Sequence, residues 1–105
     1  MAGKRFVSEI NITYSTLEDK VNYDIRLIEE IFEQLKREPI EGLKYAAYKM
    51  GENVFIHIAQ FKNSEANKRF TGLDAFKKFT DTMPDRLLQN VLINDIEEIG
   101  SYGGL

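Results

Sequence analysis

Cysteine and tryptophan are missing from this 105-residue sequence, and histidine occurs once, as His57. Without a thiol there can be no disulfide framework, Cys-ligated zinc, iron–sulfur cluster or cysteine nucleophile. A single histidine excludes, within one subunit, a two-His metal triad and the paired-His zinc helix. No Gly-x-Ser-x-Gly turn presents a serine nucleophile, and the seven glycines form neither a Gly-x-Gly-x-x-Gly nor a P-loop pattern. No apolar run approaches the roughly 20 residues of a membrane span. The opening Met1-Ala2-Gly3-Lys4-Arg5 lacks the apolar stretch of a cleavable signal, so a cytoplasmic protein with no membrane partner is expected. Basic charge is short as well. Fourteen Lys and Arg against 17 Asp and Glu give a net charge of -3, the wrong sign for a nucleic-acid partner. Carboxylate-only magnesium binding survives elimination, but the acids fall on helix faces and strand ends, where solvated charge is the simpler reading. Neither metal nor cofactor is expected.

What is present is an ordinary globular balance, 43% apolar and 30% charged, in a length that suits one domain over residues 1–105. Residues 6–14 alternate, with Phe6, Ile10, Ile12 and Tyr14 on one face and Glu9, Asn11 and Thr13 on the other, the period of a strand. Ser15 and Glu18 have capping-box spacing, with Asn22 as a later alternative cap. From Val21 the apolar positions Ile25, Ile28, Phe32 and Leu35 follow in steps of four and three. They predict a helix whose solvent side pairs Glu33 with Arg37 and which Pro39 and Gly42 end. Leu43–Met50 and Val54–Phe61, joined by Gly51-Glu52-Asn53, read as a hairpin. The stretch 62–72 reads as irregular. A second helix follows with Thr71 and Asp74 at capping-box spacing and Leu73, Phe76, Phe79, Thr80 and Met83 on one face. Pro84 ends or kinks it, and residues 91–99 form a last strand before a Gly-rich tail.

Strand, helix, strand, strand, helix, strand predicts a ferredoxin-like α+β fold, βαββαβ, with an antiparallel four-stranded sheet and its helices on one face. The bare sheet face should then be polar. The third strand breaks that expectation, for Val54, Ile56 and Ile58 lie on one side and Phe55, His57, Ala59 and Phe61 on the other. Burying each large side chain is worth roughly 1.5–3 kcal/mol, and no element is left to do it. A second copy packing sheet against sheet would, and a homodimer is expected; an exposed patch or a covering loop is the alternative.

Gly42-Leu43-Lys44-Tyr45-Ala46, Val54-Phe55-Ile56-His57-Ile58-Ala59, Ala75-Phe76-Lys77-Lys78-Phe79, Asp85-Arg86 and Glu98-Ile99-Gly100-Ser101-Tyr102-Gly103 occur in this order. Together they resemble small uncharacterised members of the antibiotic-biosynthesis-monooxygenase-like superfamily. The resemblance implies a dimeric α/β barrel with a cavity between each sheet and its helices. Some members oxidise aromatics without metal or flavin; others degrade haem, isomerise small metabolites or have no known activity. The haem-degrading and aromatic-oxidising members use a Trp that this chain lacks, so no reaction transfers residue by residue.

The expected function is therefore an uncharacterised homodimer that binds a small metabolite, aromatic ones included, in a sheet–helix cavity. The alternative is a cofactor-independent monooxygenase or isomerase. For that chemistry the catalytic candidates are His57 as base and Asn11 as support for a developing oxyanion. The plainer reading makes His57 a half-buried imidazole bonded to a backbone carbonyl or cross-strand partner, and Asn11 a satisfied interface amide. Tyr14, Tyr45 and Tyr48 are ligand-binding candidates, or aromatics that simply favour strands. Arg86 would clamp an anionic ligand group, or pair at the surface with Asp85.

Overall fold

The structure, a computed structural model, describes residues 8–88, 92–95, 99–100 and 102. Its elements are β1 (Ser8–Ser15), α1 (Val21–Arg37), β2 (Leu43–Met50), β3 (Val54–Phe61), α2 (Ser64–Thr71), α3 (Asp74–Asp81) and β4 (Leu92–Asp95). Short 3-10 turns at Glu18–Lys20 and Met83–Asp85 precede α1 and follow α3. The antiparallel sheet runs β2-β3-β1-β4, with β3 and β1 inside, as the connection rules require. Phe6 of the expected first strand, and Val91 and residues 96–98 of the expected last one, lie outside the described residues. Ile99 stands clear of β4 and is exposed.

The hairpin has the expected boundaries because Gly51, at φ +67°, supplies the left-handed turn that its polar connector needs. Gly42 adopts φ +86° before β2, and a side chain there would press on Lys62 Cβ at 3.2 Å. Helix α1 spans the predicted stripe, burying Leu27, Ile28 and Ile31. On its solvent side Glu33 meets Arg26 at 3.8 Å, one of three acids around that guanidinium.

Three local expectations are corrected. The stretch read as irregular contains α2: Asn63 caps it by accepting the Ala66 N–H at 2.8 Å, and Ala66 and Phe70, one turn apart, are buried. Neither predicted capping box forms. Ser15 remains in β1, Asn22 lies inside α1, and α3 starts after Leu73 without a side-chain cap. Instead the Ala75 N–H donates to the Gln34 side chain of α1 at 2.9 Å, so one helix satisfies the start of another.

The helices cover one sheet face. Ile12, Tyr14, Phe55, Ala59 and Phe61 join Leu27, Ile31, Phe70, Phe79 and Met83 in a single core. On the other face no described side chain of β1, β2 or β3 is buried. Val54, Ile56 and Ile58 form its centre, with Ala46, Tyr48 and Met50 beside them on β2 and Asn11 and Thr13 opposite on β1. Tyr48 and Met50 are more than half exposed, at 57% and 56%.

Candidate functional site

The alternation of β3 sends His57 into the core, where only 2% of it is exposed. Its direct cross-strand partners are Ile12 on β1 and Ala47 on β2. Tyr14 and Tyr45 occupy the diagonal positions, opposite Phe55 and Ala59 respectively. Diagonal neighbours on one sheet face lie within reach of long aromatic side chains. The two tyrosines therefore converge on the imidazole from opposite sides, Tyr14 Oη at 2.8 Å from Nε2 and Tyr45 Oη at 2.7 Å from Nδ1.

The network continues into the helices. Tyr14 Oη donates to Asp24 Oδ2 at 2.6 Å, and Arg86 Nε donates to Asp24 Oδ1 at 2.7 Å. Two further donations fix the guanidinium, to the Phe79 carbonyl at 2.9 Å and the Thr82 hydroxyl at 2.5 Å. It also lies 4.8 Å over the Phe79 ring. Asp24 and Arg86 are fully buried. Arg86, Asp24, Tyr14, His57 and Tyr45 thus form one chain of hydrogen bonds. Tyr45 is its only member with appreciable exposed surface.

Burial sets the protonation states. It lowers the His57 pKa to about 4, with the Arg86 cation acting in the same direction, so the imidazole is neutral at pH 7. Burial, reinforced by the Asp24 charge, raises both tyrosines, which stay protonated. Burial also raises Asp24, against the hydrogen bonds from Tyr14 and Arg86 that hold it down. With a fully buried guanidinium at 2.7 Å, we assign the charged carboxylate, because its neutral form would leave Arg86 without a counterion.

The sequence-derived candidates now separate. His57, Tyr14, Tyr45 and Arg86 come together in one network. Asn11 and Tyr48 do not join it: both lie on the open sheet face, Asn11 opposite Ile58 and accepting from Thr13 at 2.8 Å, Tyr48 opposite Ile56. Asn11 therefore cannot support an oxyanion beside His57 of the same subunit. Arg86 is neither a surface residue nor free to clamp a ligand, since its partner is Asp24 of α1. His57 has no nitrogen left for a substrate, so it would act through Tyr45. Sequence reasoning missed Asp24. The signal was there, for Asp24 sits on the apolar stripe of α1, three residues after Val21 and four before Ile28.

Beside Tyr45 and His57 lies a cavity of about 20 Å³, lined also by Ile10, Ile12, Ala59, Phe70, Thr71 and Phe76. It has room for about one molecule the size of water, and its accessible lining is apolar. Among the described residues no cluster of three His, Asp or Glu is placed to hold a metal ion. No helix among them is long and apolar enough to cross a membrane.

The same fold occurs in solved structures of antibiotic biosynthesis monooxygenase-like proteins and of conserved uncharacterised proteins. An antibiotic biosynthesis monooxygenase structure superposes with a TM-score of 0.74 at 12% identity, over 90% of this chain and 100% of that one. A conserved protein from Methanosarcina mazei Go1 gives 0.74 at 16% identity, over 89% and 93%. A protein of unknown function from Nitrosomonas europaea gives 0.75 at 10% identity, over 95% and 96%. The sequence matches no protein-family model and no curated relative.

Proposed function

We propose that the chain forms a homodimer through the open face of its sheet and receives a small metabolite, aromatic ones included, between sheet and helices. The observation that carries the ligand site is the buried relay ending on Tyr45. Sequestering an aspartate, an arginine, a histidine and a tyrosine costs desolvation that a packed apolar core of similar volume avoids. Perturbed titratable groups of this kind cluster at functional sites. The cavity beside Tyr45 is far smaller than an aromatic ring, so ligand entry requires Phe76 and Thr71 to move outward. Phe76 is only half-buried and Thr71 is exposed, and the break at Gly72 and Leu73 divides α2 from α3 beside them.

The alternative of cofactor-independent monooxygenase or isomerase chemistry is favoured by the same relay. A Tyr45 hydroxyl backed by a neutral imidazole would be the group that meets an acidic O–H or C–H, with His57, Tyr14 and Asp24 positioning it. Oxygen uptake with quinol and anthrone substrates tests this reading. The expected result is uptake by the wild type that falls at least tenfold in Tyr45→Phe. No uptake with either substrate counts against oxidation and leaves the binding reading, which a titration with small phenols would test.

The dimer rests on the apolar centre of the open face. Ile56→Asp would place a charge in the middle of the sheet–sheet contact, where an unpaired carboxylate is costly. The expected outcome is conversion of a dimer to a folded 12.2 kDa monomer in sedimentation velocity, with the far-ultraviolet circular dichroism unchanged. A variant that sediments like the wild type removes this face from the interface.

A further inference from the structure

The bonds between Asp24 and Tyr45 have a direction, and hydrogen-bond accounting fixes it. A carboxylate only accepts and a guanidinium only donates, while a phenol has one proton to give. Asp24 receives Arg86 on Oδ1, so the 2.6 Å contact on Oδ2 requires the Tyr14 proton. With its proton spent there, Tyr14 can only accept from His57 Nε2 at 2.8 Å. The neutral imidazole then carries its hydrogen on Nε2 and presents a lone pair at Nδ1. That lone pair takes the Tyr45 proton at 2.7 Å. Every proton in the chain points toward Asp24. The opposite arrangement would set two lone pairs against each other at the Tyr14–Asp24 contact.

We infer that the relay is polarised by the Arg86–Asp24 pair, so that Tyr45 meets a ligand only as a hydrogen-bond acceptor and the site selects molecules that bring their own O–H or N–H, such as phenols and enols, over the corresponding ethers and ketones. The ligand half rests on the proposed small-molecule site; the direction of the relay does not. Reversing the relay would reverse the selection. An amide at position 24 can turn its oxygen to Arg86 and its NH2 to Tyr14. Tyr14 would then donate to Nε2, Nδ1–H would donate to Tyr45, and the Tyr45 proton would be released for a ligand acceptor. Tyr14→Phe should act the same way by removing the acceptor at Nε2.

The sole histidine allows a direct test, a long-range proton–nitrogen spectrum of 15N-histidine protein, in which a protonated and an unprotonated ring nitrogen are distinct. The wild type is expected as the Nε2–H tautomer, and Asp24→Asn and Tyr14→Phe as Nδ1–H. Tyr14→Phe keeps the buried ion pair, so it serves if Asp24→Asn does not fold. Phenol and anisole, titrated in parallel and followed through the His57 signals, read the ligand half. Phenol is expected to bind the wild type at least tenfold more tightly than anisole, with that preference lost in Tyr14→Phe. An Nδ1–H tautomer in the wild type, an unchanged tautomer in the folded variants, or equal binding of the two probes overturns the inference. Binding of neither probe, with the tautomers as stated, rejects the small-ligand reading and the ligand class while the direction of the relay stands.

Discussion

Arg86→Met is expected to destabilise the fold by about 3–5 kcal/mol, the usual cost of leaving one partner of a buried ion pair uncompensated. Without the guanidinium, the Asp24 carboxylate would keep one hydrogen bond, from Tyr14, in a site with no solvent access. Domains of this size are stable by only about 5–15 kcal/mol, so the variant should lose a large share of its margin. Changing both partners should behave differently. Asp24→Leu combined with Arg86→Met replaces the pair by apolar volume and is expected to recover most of the loss, at the expense of the relay's direction. Equilibrium urea denaturation measures both, as a shift in midpoint at constant slope. A loss below about 1 kcal/mol for Arg86→Met would mean that Asp24 is not a buried charge.

Acid should destabilise the protein through His57 before most carboxylates titrate. The imidazole has its pKa lowered to about 4 in the folded state, against an ordinary value of 6.5. Between these values the unfolded chain binds the proton and the folded chain refuses it. The stability held by neutral His57 is therefore fully present above pH 6.5 and is lost as the pH falls toward 4. At roughly 1.4 kcal/mol for each unit, the loss is on the order of 3 kcal/mol. His57→Gln, which cannot titrate, should be less stable at pH 7 but should show a flatter profile across that window. Asp24, raised by burial, contributes with the opposite sign in both proteins, so the difference between their profiles isolates the histidine. Parallel profiles would show that His57 titrates freely in the folded state.

The elements that dominate the fold were legible because their signals are local. The α1 stripe repeats over 17 residues, and the β2–β3 hairpin has alternating strands around a glycine that must adopt positive φ. Helix α2 escaped because it is two turns long and has only Ala66 and Phe70 to bury. Its Asn63 cap was readable, but the surrounding polar residues masked it. The opposite error produced the two capping boxes. Ser15 and Thr71 had the right spacing, yet Ser15 is held in the sheet by pairing with Val54, and Thr71 belongs to the end of α2.

For the site, the alternation of β1 sets Tyr14 on its apolar face, and that of β3 groups His57 with Phe55, Ala59 and Phe61. What no local pattern contains is the register between strands. Pairing Ile12 with His57 and Tyr45 with Ala59 is what makes the tyrosines diagonal neighbours of the imidazole. Asn11 and Tyr48 have suitable chemistry but lie on the other face, opposite Ile58 and Ile56. Asp85 is the acid beside Arg86 in sequence, whereas its partner in the fold lies 62 residues away. Ion pairs between distant elements are set by packing, and only the misplaced polarity of Asp24 within an apolar stripe hinted at this one.

The most direct measurement of the buried relay is the titration of His57 itself, followed through the ring proton signal of the only histidine in the chain. One signal is expected, staying in its neutral form as the pH falls through 6.5 and changing only near 4 or with unfolding. A reversible midpoint between 6 and 7 in the folded protein would place the imidazole in water and contradict the relay from Arg86 to Tyr45.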